Sequence, residues 1–290
     1  MKRVNEIEGL LRILRPVNCL MMGGAVLIGE LIAYGSIFLA FPSLLGFVTS
    51  FFLTGASMVA NDYWDRLVDK INAPNRPIPS GVVSGRTAVA YAVFIAFVGL
   101  ATAFFTNLPC LILAAAALLV SLAYSFKGKE AGLMGNFMVS ACVAIPLLYG
   151  GFLYRGFSSN FSGLWSLFIF IAMAFLANTG REVTKGIVDV EGDRLRNVRS
   201  IALRFGARAA AVAAVTFYAI AVGLSLFPWL YGLVSWLYLP FVAAADLGFA
   251  ASSFILLRDY SKGNAKRVKN TVLLLMAVGL MAFIAGGMRV

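Results

Sequence analysis

Residues 42–81 read PSLLGFVTSFFLTGASMVANDYWDRLVDKINAPNRPIPSG. The first half, 42–62, is an apolar run of the length a bilayer span needs, roughly 20 residues. The second half is dense in charge, with Asp62, Asp65 and Asp69 interleaved with Arg66, Lys70 and Arg76. At about 100° per residue, Asn61, Asp65, Asp69 and Asp62 fall near 0°, 40°, 80° and 100° on a helical wheel, one face over two turns. Ala73-Pro74 and Arg76-Pro77-Ile78-Pro79 cannot continue that helix, because proline lacks a donor and restricts the residue before it. The segment therefore reads as a membrane span that runs into a column of oxygen ligands and stops at a structured loop.

The rest of the chain fits this reading. Of 290 residues, 61% are hydrophobic and 13% charged, against about 45–50% and about 25% in soluble domains. The mean hydropathy is +0.88. The expected fold is an all-α polytopic membrane protein, one domain over residues 1–290. Its nine spans cover 17–34, 42–62, 87–106, 108–124, 131–154, 162–182, 208–227, 235–257 and 270–288. Only Asn107-Leu108-Pro109 separates the third from the fourth, as a tight helical hairpin. Residues 1–16, with Lys2, Arg3, Glu6, Glu8, Arg12 and Arg15, do not look like a cleavable signal peptide, so the first apolar run reads as a span. The N-terminal tail and the cytoplasmic ends of the spans hold 22 of the 24 Lys and Arg; only Arg155 and Arg289 fall on the other side. This predicts a multi-pass protein of the cell membrane with a cytoplasmic N-terminus and an outside C-terminus. The net charge of +11 then reflects topology rather than nucleic-acid binding, and no obligate protein partner is evident.

Histidine is absent, which excludes a histidine base, a Ser-His-Asp triad and a His-ligated metal or haem. Cys19, Cys110 and Cys142 lie far apart in apolar runs and read as buried hydrophobes. A metal here would be a hard cation on oxygen ligands.

A second acidic segment, NTGREVTKGIVDVEGDRLRNVRS over 178–200, lies at the cytoplasmic end of span six. Asn178, Glu182, Asp189 and Asp193 fall within about 60° of one another on a wheel. Two facing columns could hold Mg²⁺, which takes one or two carboxylates per ion and completes its octahedron with water and phosphate oxygens. Basic residues accompany both: Arg66, Lys70 and Arg76 beside the first; Arg181, Lys185, Arg194, Arg196 and Arg199 around the second; Lys127 and Lys129 in the loop after span four. Mixed carboxylates and cations suit a polyanion bound through metal. Tyr124 ends span four on this side. Arg258, Lys262, Lys266, Arg267 and Lys269 read as topology and headgroup contacts. Gly23, Gly24, Gly29, Gly132 and Gly135 read as close helix packing.

These motifs resemble a known family. Asn61-Asp62-x-x-Asp65-x-x-x-Asp69 followed by NRPIPSG is similar to the first motif of the UbiA superfamily of intramembrane prenyltransferases, and Asp189-x-x-x-Asp193 is similar to the second. With LRPVNCLMMGGAVLIGELIA near the N-terminus, the chain looks most like archaeal members that build ether lipids. The resemblance implies nine helices around a central cavity capped by the loops after spans two and six. It also implies Mg²⁺ as cofactor, geranylgeranyl diphosphate as donor and a lipid acceptor, geranylgeranylglyceryl phosphate, whose hydroxyl takes the geranylgeranyl group. By motif, Asn61, Asp65 and Asp69 would serve the first metal site and Asp189 and Asp193 the second, with the four aspartates catalytic. Arg15, Asn18, Arg76, Tyr124, Lys127, Arg181 and Lys185 would bind substrate. Where the second motif commonly has a further Asp, this chain has Gly186, which leaves water or Glu182 to compensate.

Two other readings share some of these features. A quinone-precursor or porphyrin acceptor would use the same metal chemistry. An ion-coupled transporter would need carboxylates near mid-bilayer, and only Glu30 and Asp246 are placed for that.

Overall fold

The structure, a computed structural model, describes residues 5–154, 164–195 and 197–287; Lys2, Arg3, Arg155, Arg196 and Arg289 lie outside the described residues. Among these residues are nine helices long and apolar enough to cross a membrane. They are α2 (Pro16–Tyr34), α3 (Phe41–Asn72), α4 (Gly85–Thr106), α5 (Leu108–Phe126), α6 (Leu133–Phe152), α7 (Trp165–Val188), α9 (Ile201–Ser225), α11 (Tyr238–Arg258) and α12 (Lys262–Gly287). Shorter helices are α1 (Glu6–Leu14), α8 (Val190–Leu195) and α10 (Phe227–Leu230).

All nine expected spans are present, and most differences lie at their charged ends. Helix α3 runs on from the bilayer-length segment to Asn72, so Asn61, Asp65 and Asp69 sit on one continuous helix. Helix α12 begins at Lys262 rather than 270. Helix α9 begins at Ile201, but Gly206 (φ 86°, ψ 165°) breaks it, so the segment inside the bilayer starts close to the expected 208. Helix α1 was not expected. Asn5 Oδ1 accepts from Glu8 N at 2.8 Å to cap it, and Gly9, Ile13 and Leu14 are buried while Ile7 and Leu11 are exposed. The hairpin at 107 is as tight as expected. Asn107 alone separates α4 from α5; its Oδ1 caps Cys110 N at 2.8 Å and its Nδ2 donates to the carbonyls of Phe152 and Leu153.

The bundle closes on itself, α2 packing on α3 and α6 at one seam and α12 on α2 and α7 at the other. Apolar clusters lie on both sides, one around Val26, Leu53, Ala114 and Tyr149, the other around Val183, Ala214, Tyr218 and Val272. Large apolar side chains such as Phe97 and Leu247 are exposed on the outside, as on a surface that meets lipid. This is a multi-pass membrane protein. Gly29 and Gly150 let α2 and α6 meet backbone to backbone: a Cβ at Gly29 would collide with the Leu147 carbonyl, and one at Gly150 with that of Val26. Gly132, at φ 61°, likewise faces the Arg199 carbonyl. Gly24 has open space instead and is not a packing contact.

The α2–α6 crossing predicts that Gly29→Val lowers the thermal midpoint of the solubilised protein. The cost expected for overpacking is about 1–3 kcal/mol. Gly24→Ala should leave the midpoint in place.

Candidate active site

The side chains of α3 divide by role. Asn61, Asp65 and Asp69 line a cavity of about 1080 Å³ in the middle of the bundle. Asp62, on the same wheel face, does not. It is buried and takes Arg15 Nη2 on Oδ1 at 2.7 Å, with Arg76 Nη1 at 3.6 Å. Arg76 also donates to Asp69 Oδ2 at 2.5 Å, and Lys129 Nζ donates to Asp65 Oδ2 at 2.6 Å. Asn61 Nδ2 donates to the same Asp65 oxygen at 3.2 Å. In low dielectric an unpaired carboxylate is costly, and the fold brings a cation to each one. Arg15 comes from the α1–α2 junction, where its φ of 54° turns the chain. Arg76 comes from the loop after α3, which is held by Arg76 N to Ala73 O and Val83 N to Pro77 O, both at 3.0 Å. Lys129 comes from the short turn Gly128–Ala131.

Across the cavity stands α7. Asn178 Nδ2 donates to Ser140 Oγ at 3.1 Å. Glu182 is buried, and its oxygens take Arg181 at 3.0 Å and Lys185 at 3.1 Å. Glu182 thus anchors two cations, and it lines the cavity together with Gly186. The expected second column does not continue as one helix. The chain bends at Asp189 (φ −99°, ψ 11°) and restarts as α8, which carries Glu191 and Asp193. Asp189 and Asp193 still line the same cavity as Asp65 and Asp69. Asp189 lies in the electrostatic field of Lys185 and Lys269.

Of the predicted substrate-binding residues, Arg15, Asn18, Arg76, Tyr124, Arg181 and Lys185 line the cavity, and Lys127 does not. Lys127 is exposed at the C-terminal end of α5, while Lys129, two residues on, turns inward with its ammonium 5.6 Å from the centre of the Tyr124 ring. Arg194 and Arg199 are exposed and outside the cavity. Lys262 and Lys269, read from sequence as topology signals, line it instead. Lys262 Nζ donates to Glu191 Oε2 at 2.7 Å and holds that carboxyl below its ordinary range. A cation's reach from a loop depends on backbone turns such as Gly132, which carry no periodic signal.

Beyond this ionic mouth the walls turn apolar, with Met173, Val242, Phe249, Leu275, Leu280 and Phe283 among the lining residues. Asp246 is the one acid lining that deeper part among the described residues, and Ser225 Oγ donates to it at 2.6 Å. Glu30 lies outside the cavity lining, with Phe38 N, Ser43 Oγ and Tyr154 OH donating to Oε1 at 2.9, 2.9 and 3.3 Å. Neither is one of a mid-bilayer pair of the kind a transporter needs. A cavity with ionic mouth and apolar depth can hold an amphiphile by a polyanionic head and a long chain.

Comparison with known proteins agrees with this chemistry. The model of the UbiA prenyltransferase family matches residues 23–286. A digeranylgeranylglyceryl phosphate synthase from Natronomonas pharaonis is 35% identical over 268 residues, covering 90% of this chain and 92% of that protein. A solved digeranylgeranylglyceryl phosphate synthase structure superposes with a TM-score of 0.80 at 28% identity, covering 98% of this chain and 99% of the other. The fold is shared also with a UbiA homologue from Archaeoglobus fulgidus bound to DMAPP and Mg²⁺, at TM-score 0.67, 20% identity and coverage of 95% and 99%.

The pairing around Asp62 sets an expectation for stability. Asp62→Ala strands Arg15 and removes the longer of the two carboxylate contacts of Arg76, which keeps Asp69, and so loosens the α1–α2 junction from α3. The expected cost is about 1–3 kcal/mol, read as a drop in the thermal midpoint in detergent. Lys127→Ala should leave that midpoint unchanged.

Proposed function

The chain belongs to the UbiA prenyltransferase family, and on that basis we propose that it transfers a geranylgeranyl group from its diphosphate to the hydroxyl of geranylgeranylglyceryl phosphate. The C1–O bond of the donor breaks, an ether C–O bond forms, and diphosphate and a proton are released. The observation that carries the reading is the cavity of about 1080 Å³, with carboxylates and cations at one end and apolar walls at the other.

The donor set fits Mg²⁺. Among the described residues no three acids gather into an all-protein metal cage, and Mg²⁺ does not need one when phosphate oxygens and water complete its shell. Asn61, Asp65, Asp69, Asp189 and Asp193 would hold it, and when bound it neutralises charge on the leaving diphosphate. Arg76, Lys129, Arg181 and Lys185 lie among these ligands and bind the remaining phosphate oxygens. Lys262 and Lys269 add cations for a second phosphate head, which a glyceryl phosphate acceptor carries. Glu182 keeps Arg181 and Lys185 in place. The apolar walls take the prenyl chain and keep water from an allylic cation. The carboxylates of the mouth and the diphosphate are the bases for the released proton. We place this mouth on the cytoplasmic side, with the N-terminus there and the C-terminus outside, because the basic residues gather at that end.

Purified protein, labelled geranylgeranyl diphosphate, Mg²⁺ and geranylgeranylglyceryl phosphate should yield the labelled ether lipid. Transfer to a quinone precursor or a porphyrin, with none to the glyceryl lipid, would overturn the acceptor. Asp65→Ala and Asp189→Ala should each lower kcat by about 10²-fold or more while the protein remains folded. Full activity in either would sink the metal assignment, and Mg²⁺ removal by a chelator should stop turnover reversibly.

A further inference from the structure

A shallow, open pocket lies on the outer surface between α3 and α4, lined by residues that include Tyr63, Arg66, Ser84, Arg86, Val89 and Ala90. It shares no residue with the central cavity. Arg66 is already positioned: Nη1 donates to the Tyr63 carbonyl at 2.7 Å, and the guanidinium sits 4.1 Å from the centre of the Tyr63 ring. Among the described residues no carboxylate neutralises Arg66 or Arg86. The acids of α3 are committed elsewhere, Asp62 to Arg15, Asp65 to Lys129 and Asp69 to Arg76, and neither Arg66 nor Arg86 has an ion-pair partner among the described residues. Lys70, one turn along α3, adds a further charge, exposed like Arg86, while Arg66 is half-buried.

Next to the arginines, the outer side of α4 is apolar. Val89, Val93 and Phe97 recur at four-residue spacing and are 40%, 64% and 69% exposed, with Phe94 at 62%. Two guanidiniums match a phosphate in charge and fork geometry. Basic pockets between membrane helices at the cytoplasmic surface take anionic headgroups. A free anion would use the arginines alone, whereas the apolar stripe running on from them fits a chain. We infer that this pocket binds the phosphate of an anionic lipid of the surrounding bilayer, with the lipid's chain along α4. Arg66 sits on the same two turns of α3 that carry Asp65 and Asp69, so a lipid held here steadies the helix that bears the first acidic motif. The inference does not rest on the reaction proposed above.

The test uses the whole protein in nanodiscs of phosphatidylcholine, with and without phosphatidylglycerol. Native mass spectrometry reads lipid retention and a melting curve reads stability. The wild type should retain phosphatidylglycerol several-fold more than Arg66→Gln/Arg86→Gln does, and should melt higher in the anionic discs, a gain the double variant loses. Arg86→Gln alone changes an exposed residue that makes no hydrogen bond or ion pair, and should lower retention while the protein stays folded. Arg204→Gln/Arg208→Gln, exposed on α9 and outside both linings, should behave as the wild type. Undiminished retention in Arg86→Gln, or an equal loss in the distant pair, would overturn the pocket in favour of general surface charge. An equal gain in melting temperature from inorganic phosphate in neutral discs would overturn the choice of a lipid.

Discussion

A carboxylate near a bilayer is costly unless a cation or hydrogen-bond donors meet it, and the ionic end of this protein is built around the first of these solutions. Helix α3 carries three aspartates beyond its apolar run, and each is met by a cation from another part of the chain. Arg15 at the α1–α2 junction, Arg76 in the following loop and Lys129 in the turn before α6 converge on Asp62, Asp69 and Asp65. On the opposite wall a buried glutamate does the reverse, holding Arg181 and Lys185. Neutralisation thus adds to an apolar cluster of Ile13, Leu14, Val59, Ile78 and Val83 that already joins α1, α3 and the loop carrying Arg76. The hollow below has a different cause, since its lining is rich in small side chains such as Ala25, Ala114, Ala117, Ala177, Ala221 and Ala245. Alanine on an inward face leaves a volume that leucine would close.

How much of this is legible in the sequence depends on range. Spans follow from local composition, so all nine are readable. The hairpin at Asn107 is readable because a cap and a proline stand side by side. The first acidic motif is readable as a helical face, but a wheel treats Asp62 as equal to Asp65. Only the arrival of Arg15 and Arg76 turns it into a structural anchor. The bend at Asp189 and the inward turn of Lys129, rather than Lys127, depend on contacts between distant segments. One is Arg199 N donating to Glu130 O at 3.0 Å, and no periodicity reports it. Lys262 and Lys269 resemble any basic loop until α12 is placed beside α7. The resemblance to a family supplied roles for single residues, and the fold brings all of those residues except Lys127 to the cavity lining.

The far end of the bundle has a consequence of its own. The lining of the hollow reaches Val26, Tyr149 and Phe283 and includes neither Glu30, Ser43 nor Tyr154. Past that depth, α2 and α6 touch through Gly29 and Gly150, and Glu30 ties Phe38, Ser43 and Tyr154 together. Among the described residues, close helix packing therefore lies behind that part of the lining. A cell membrane stores a voltage worth about 2.3 kcal/mol per unit charge for every 100 mV, and a water-filled bore through the protein would discharge it. Close backbone packing and a hydrogen-bonded carboxyl behind a chamber of about 1080 Å³ work against such a leak.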